Sequence, residues 1–274
     1  MRKIAALVLF VCFTSFQPAP KTWLALGDSI TYLNDHLDET GKQVTKGYLS
    51  RVVEMLPQHE YINKGYNGWT AQRIAQQIDH LGLTRAEVYT VFLGTNDWWA
   101  GVPLGTLDDY QKNKGTETIY GSFRIIVDKL RALNPDAPII LLTPMQRADF
   151  VYINDPHNHA YGSYKTKADQ SLESIAEAVM AIGKYEHLPV VDLYHLPALK
   201  LKKLVHFKRL KDPQTGEYHE YTYPAYTDIP FDPATDDYPY PPAAIDMTYD
   251  GLHPSDQGNA VIAKKLARVM KKAE

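Results

Sequence analysis

The stretch Thr22-Trp23-Leu24-Ala25-Leu26-Gly27-Asp28-Ser29-Ile30 decides how the chain is read. Its first five residues are a short apolar run closed by a glycine, the pattern of a strand buried on both faces. Gly27 permits a sharp turn, and Ser29 stands where a helix begins. A serine there sits among backbone N–H groups that favour developing negative charge. Its hydroxyl is a poor nucleophile until a base takes the proton. Taken alone, Gly-Asp-Ser reads first as a turn with a helix cap. Its meaning depends on what else reaches the same place.

Working outward, apolar runs alternate with helical patterns. Tyr48 to Leu56 predicts a helix stopped by Pro57, Tyr61-Ile62-Asn63 a second strand, and Thr70 to about Leu81 another helix. Glu87 to Leu93 is rich in β-formers and predicts a third strand. Thr118 to Leu133 reads as a helix ended by Asn134-Pro135, and Pro138 to Leu142 as a fourth strand. A helix from about Lys167 to Lys184 leads to a fifth strand, Pro189 to Leu193. Ser255 is expected to cap a last helix running to about Lys271. Five strands separated by helices predict an α/β architecture with a parallel sheet covered on both faces. Sites in such sheets form outside the carboxyl ends of the strands, so chemistry is expected just after each strand.

Residues 200–249 break the alternation. Lys200 to Lys211 is basic with interleaved apolar residues, read as a short helix with a solvated or partner-facing surface. From Asp212 the chain is rich in Tyr, Pro and Asp, and so many aromatics predict packing rather than disorder. The segment is read as an ordered insertion over the active end of the sheet.

The 274 residues suit one large α/β domain, and the net charge of −3 gives no electrostatic case for nucleic acid. At the N-terminus, Arg2 and Lys3 precede the apolar run Ile4 to Phe13, too short to span a bilayer. Residues 1–20 are therefore read as a signal peptide and 21–274 as the domain, with the insertion at 200–249. The expected location is secreted or periplasmic, without stable membrane insertion once the leader is removed. Cys12, the single cysteine, lies in that leader, so the mature chain is expected to hold no disulfide or thiol chemistry. The oligomeric state is not legible.

Three further stretches give Ser29 its company. Asp250-Gly251-Leu252-His253-Pro254 sets a carboxylate three residues before a histidine. An Asp bonded to Nδ1–H fixes the imidazole tautomer and frees Nε2 to act on a hydroxyl. Asn63-Lys64-Gly65-Tyr66-Asn67-Gly68 follows the second strand, where a glycine N–H can approach a substrate oxygen. Gly65 and Gly68 are both candidates for that donor. Gly94-Thr95-Asn96-Asp97 follows the third strand and offers the Asn96 amide as a directional, uncharged donor.

Gly27-Asp28-Ser29, Gly68, Gly94-Thr95-Asn96-Asp97 and Asp250-x-x-His253 resemble, in order, the four motif blocks of the GDSL or SGNH hydrolases, across residues 22–272. The resemblance implies a three-layer, flavodoxin-like α/β/α fold and hydrolysis of esters or thioesters without a cofactor or metal. It implies Ser29 as nucleophile, His253 as base and Asp250 as its orienting group. The Ser29 N–H, Gly68 N–H and Asn96 side chain would form the oxyanion hole.

The substrate is less constrained. Trp69, Trp98 and Trp99 adjoin the proposed donors and are expected either to wall the acyl group, to stack on a sugar or to pack the core. Asp28 and Asp97 are further candidate substrate contacts. A small-molecule or polysaccharide ester is expected, and a carbohydrate O-acetylesterase is the first reading. A lipase, lysophospholipase or other short-chain carboxylesterase is the second. A catalytically silent carbohydrate-binding protein is the alternative from another class. His157 and His159 lack further ligands at suitable spacing and read as a polar loop. Asp192, at the end of the fifth strand, reads as a loop cap or a group reaching the site.

Overall fold

A computed structural model describes residues 19–273; the leader read at residues 1–20 lies almost wholly outside the described residues. The strands are, in chain order, β1 (Lys21–Gly27), β2 (His59–Gly65), β3 (Val88–Phe92), β4 (Ile139–Leu142), β5 (Phe150–Val151), β6 (His159–Ala160), β7 (Val190–Val191), β8 (Lys208–Lys211) and β9 (Tyr218–Tyr221). The helices are α1 (Ser29–Tyr32), α2 (Tyr48–Met55), α3 (Ala71–Gln76), α4 (Thr95–Ala100), α5 (Leu107–Gln111), α6 (Ile119–Leu133), α7 (Leu172–Glu186), α8 (Leu201–Leu204) and α9 (Asp256–Ala273). Five strands form one parallel sheet in the order β2-β1-β3-β4-β7. That is the flavodoxin-like order, in which the chain reverses direction across the sheet between β1 and β3.

Each central strand is buried on both faces, and its alternate residues feed two cores. Leu24 and Leu26 of β1, Tyr89 and Val91 of β3, and Ile139 and Leu141 of β4 join α3, α6 and α7 on one side. Trp23, Ala25, Val88, Phe92, Ile140 and Leu142 face α2 and α9 on the other. The indole of Trp23 would be an unsatisfied donor there; it donates to Thr90 Oγ1 at 2.9 Å. Among the described residues no helix is long and apolar enough to cross a membrane.

Several expected boundaries move. The helix expected from Lys167 begins at Leu172, because Ala168 and Asp169 take left-handed backbone (φ 47° and 59°) and Ser171 caps the helix through Ser174 N. The helix expected to reach Leu81 ends at Gln76, although Ile78 and Leu81 still pack into the core. The fifth strand shortens to Val190–Val191.

Residues 200–249 are ordered, as expected, but the basic run is not a solvated helix. It folds as the four-residue α8 followed by β8, which pairs with β9 as an antiparallel hairpin. Lys208 is buried, donates to Asp149 Oδ2 at 2.7 Å and lies 5.4 Å from the ring centre of Tyr226. Tyr226 and Tyr240 join the core on the α2/α9 side. The hydroxyls of Tyr240 and Tyr238 donate to the carbonyls of Asp149 and Val151, so the insertion grips the segment leading through β5.

Candidate functional site

The turn after β1 is built for close approach. A Cβ on Gly27 would run into the Thr31 side chain, so only glycine lets α1 start directly against the strand. Asp28 caps α1 by accepting the Ile30 N–H at 3.0 Å. Ser29 is then the first residue of the helix, at the carboxyl end of β1.

The loop before α9 meets it. Asp250 is fully buried, and its Oδ1 accepts the backbone N–H groups of Leu252 and His253 at 3.0 and 2.7 Å. Its Oδ2 lies 2.6 Å from His253 Nδ1, and His253 Nε2 lies 2.9 Å from Ser29 Oγ. A carboxylate at Nδ1 selects the tautomer with its proton there, leaving Nε2 to accept from the serine hydroxyl. The imidazole is held by Tyr249 stacked at 5.9 Å between ring centres and by Phe150 edge-on at 5.5 Å. The loop itself is stitched to the β5 segment: Ala148 N–H donates to Gly251 O at 2.9 Å and Val151 N–H to Asp250 O at 3.1 Å. Gly251 has φ +88°, and a Cβ there would strike Asp149 O.

Donors converge from β2 and β3. Asn96 Nδ2 donates one hydrogen to Trp69 O at 3.0 Å, which fixes the amide and leaves its second N–H uncommitted. Among the described residues, neither the Ser29 nor the Gly68 backbone N–H donates a hydrogen bond. Ser29, Gly68 and Asn96 line one pocket of about 210 Å³, together with His253. Gly65 is absent from its lining: it pairs with Gly27, donates to Asn63 Oδ1 at 2.9 Å, and gives room for the Tyr32 backbone.

Of the residues read as substrate contacts, Trp99 lines this pocket and four others do not. Trp98 is wholly buried and donates its indole N–H to Gln170 O at 3.0 Å. Trp69 stacks on Tyr66 at 4.7 Å with the Arg73 guanidinium 4.2 Å from its ring centre, and serves the pocket through its carbonyl on Asn96. Asp28 is spent on its cap, and Asp97 accepts the Ala71 and Gln72 N–H groups at the start of α3. Burial raises both acids, Asp28 to about 7 and Asp97 to about 6, against the lowering effect of those backbone donors.

The pocket also contains residues that sequence reasoning missed. Arg147 follows β4, where the strand-end rule points, but an arginine in a loop carries no signal by itself. Phe150 and Ala160 come from the β5–β6 pair, outside the strand–helix alternation; Asn67, Asn158 and Leu252 complete the wall. His159 instead packs edge-on against Phe231 at 5.8 Å.

Asp192 turns out to belong to a second Asp-x-x-His. Its Oδ1 accepts the His195 N–H at 3.1 Å, and its Oδ2 lies 2.9 Å from His195 Nδ1. His195 Nε2 faces Glu173 Oε1 at 3.2 Å, and neither Asp192 nor His195 lines the pocket of Ser29.

The sequence matches the model of the GDSL-like lipase/acylhydrolase family over residues 25–261. No curated protein matches. A solved structure of a possible lipase from Chitinophaga pinensis is 62% identical with a TM-score of 0.91, covering 92% of this chain and 98% of that one. A Lactobacillus plantarum protein is similar in fold at 19% identity and TM-score 0.59, covering 94% of this chain and all of that one. A catalytic mutant of an acetylxylan esterase from Geobacillus stearothermophilus is similar in fold at 16% identity and TM-score 0.50, covering 92% and 94%. With the ordered motif blocks, the parallel sheet and the family match over most of its length in agreement, this chain belongs to the GDSL-like lipase/acylhydrolase family and is a carboxylic ester hydrolase.

Proposed function

We propose that the chain hydrolyses short acyl esters of polyhydroxylated alcohols, foremost O-acetyl groups on carbohydrates, with Ser29 as nucleophile. The observation that carries this reading is the continuous hydrogen-bonded line Asp250–His253–Ser29 opening into a small pocket. His253 Nε2 takes the Ser29 proton as Oγ attacks the ester carbonyl. Asp250 holds the ring and stabilises the imidazolium that forms. The oxyanion is received by the Ser29 and Gly68 N–H groups and the free hydrogen of Asn96. His253 then protonates the departing alcohol, and water repeats the attack on the acyl-enzyme.

Pocket size and lining support a short acyl group. A volume of about 210 Å³ is below the usual range for drug-sized ligands and leaves little room for a fatty chain. Asn67, Asn158 and Arg147 offer donors for hydroxylated groups, and Trp99 offers a ring face. A lipase would gain from an apolar docking surface around the site. Only Met55 and Tyr185 stand out as exposed large hydrophobic residues among those described, and neither lines the pocket. The basic start and apolar run of residues 2–13 support export to the periplasm or the medium.

Initial rates on acetylated oligosaccharides and on p-nitrophenyl esters of increasing chain length test the proposal. Activity is expected to fall beyond short acyl chains and to vanish in Ser29→Ala with the fold retained. A preference for long chains would replace it with the lipase reading. Sugar binding without turnover in the unaltered chain would replace it with a silent binding protein.

A further inference from the structure

We infer that a second cavity beside the pocket of Ser29 is a subsite for further units of a neutral oligosaccharide whose acetylated unit enters that pocket. The inference rests on the reading of the chain as a carbohydrate O-acetylesterase and narrows its substrate to a chain of sugars rather than a single one. The cavity measures about 520 Å³, within the usual range for a bound small molecule. It is lined by the β5–β6 pair and by residues 227–231 of the insertion. The two spaces adjoin along residues 158–160: Asn158 lines the pocket, His159 the cavity and Ala160 both. Phe150, paired with Ala160 across the two-stranded ribbon, also lines both. Tyr161 of the cavity packs edge-on against Trp99 of the pocket, with ring centres 4.9 Å apart.

Two aromatic pairs build the cavity, each with polar groups beside it. One is Tyr161 and Tyr164, whose ring centres lie 5.6 and 5.7 Å from Lys165 Nζ. The other is His159 and Phe231, which meet edge-on at 5.8 Å and join β6 to the insertion. The rings are held in place: the Tyr164 hydroxyl donates to Asp149 Oδ1 at 2.5 Å and the Tyr161 hydroxyl to Thr166 O at 3.1 Å. The insertion wall is held as well, by Thr227 Oγ1 donating to Pro224 O at 2.8 Å and Ile229 N–H to Tyr226 O at 3.2 Å. A preformed wall lowers the ordering cost of binding. Lys165, His159 and Asp228 line the cavity and are exposed, and among the described residues their side chains make no hydrogen bond or ion pair. Rings beside uncommitted donors and acceptors suit the C–H faces and hydroxyls of a sugar. A fatty chain laid there would bury those polar groups unpaired. The charges balance: exposed Lys165 stands with exposed Asp228, and buried Lys208 is paired with Asp149 at 2.7 Å. A neutral sugar therefore fits without leaving a charge unmatched.

The test measures kcat/KM of the full chain on singly acetylated methyl glycosides and on the matching singly acetylated tetrasaccharides, in a xylose and a mannose series. In at least one series kcat/KM is expected to rise by about tenfold or more from one sugar to four, carried by a lower KM. In Phe231→Ala that ratio should collapse towards unity, and Phe231→Tyr should keep it. Should Phe231→Ala fail to fold, Lys165→Ala combined with Asp228→Ala, both exposed, decides: the ratio should fall by about threefold or more. A ratio near one in both series, or one that survives the deciding variant, overturns the proposal. So does a gain on lengthening the acyl chain of p-nitrophenyl esters that the same variant removes, since the cavity would then take the acyl group. Turnover of the acetylated methyl glycosides with no gain from added sugars removes this inference alone. Turnover of p-nitrophenyl esters but of no acetylated sugar removes the carbohydrate reading with it.

Discussion

The chain contains two Asp-x-x-His loops of nearly the same local geometry, and only one is built into a site. In both, one carboxylate oxygen accepts the histidine's own N–H and the other lies within 3 Å of Nδ1. The difference lies in what faces Nε2. For His253 it is the hydroxyl of Ser29; for His195 it is the carboxylate of Glu173. Both nitrogens of His195 thus face carboxylate oxygens rather than a hydroxyl. Their positions differ too. Asp192–His195 follows β7 at the edge of the sheet and is partly exposed, whereas His253 meets the turn after β1, beside the switch point. The local motif orients an imidazole. The topology decides what it acts upon.

The contrast is most severely tested by removing each ring. His253→Ala should lower kcat by about 10⁴-fold or more, while His195→Ala should leave kcat/KM on the same acetyl ester unchanged. Equal losses would show that the edge pair takes part in turnover. Exchanging each acid for its amide sharpens the point. Asp250→Asn should reduce kcat by about 10³–10⁴-fold through the wrong tautomer. Asp192→Asn should cost no more than about 1 kcal/mol of stability in urea denaturation, as expected for a partly exposed ion pair.

The next effect concerns the donors that only the buried loop can use. Asn96→Ala should cost about 3–4 kcal/mol of transition-state stabilisation, read as a fall in kcat with little change in KM. A fall in KM-controlled binding alone would place Asn96 with the substrate rather than the oxyanion. A further effect separates the two neighbourhoods by pH. Burial raises Asp28 to about 7 from an ordinary value of 3.8. Because the folded value is the higher one, the protonated acid favours the fold below about pH 4, and that contribution is lost as pH rises to about 7. Asp28→Asn keeps an oxygen for the Ile30 N–H and removes the titration. The variant should therefore gain on the wild type by on the order of 3 kcal/mol between pH 4 and 7. Parallel stability curves for Asp28→Asn and wild type would refute the burial argument.

Much of this was legible in the chain, for identifiable reasons. Strands such as Val88–Phe92 and Ile139–Leu142 are buried on both faces, so their apolar runs announce them. Ser29, Gly68 and Asn96 each follow a strand, and the sheet's geometry turns that order into proximity. What escaped depends on distant partners. Lys208 looks like a surface lysine until Asp149, from the far side of the β5–β6 segment, is placed against it. Arg147 looks like any loop arginine until rings from α4 and β5 surround it. Trp98 and Trp99 are adjacent in sequence, and only the helix's own rotation sends one to the core and the other to the pocket. The Asp192–His195 pair shows the opposite failure, since its sequence pattern alone matches that of the Asp250–His253 loop.

The bond between Ser29 and His253 joins residues 224 positions apart. During synthesis the turn that carries Ser29 is made long before the loop that carries His253. On the proposed mechanism, any shortened product ending before His253 lacks the base that would activate the serine. On that mechanism, a chain whose base arrives so late gains its ester-cleaving activity only once His253 is in place.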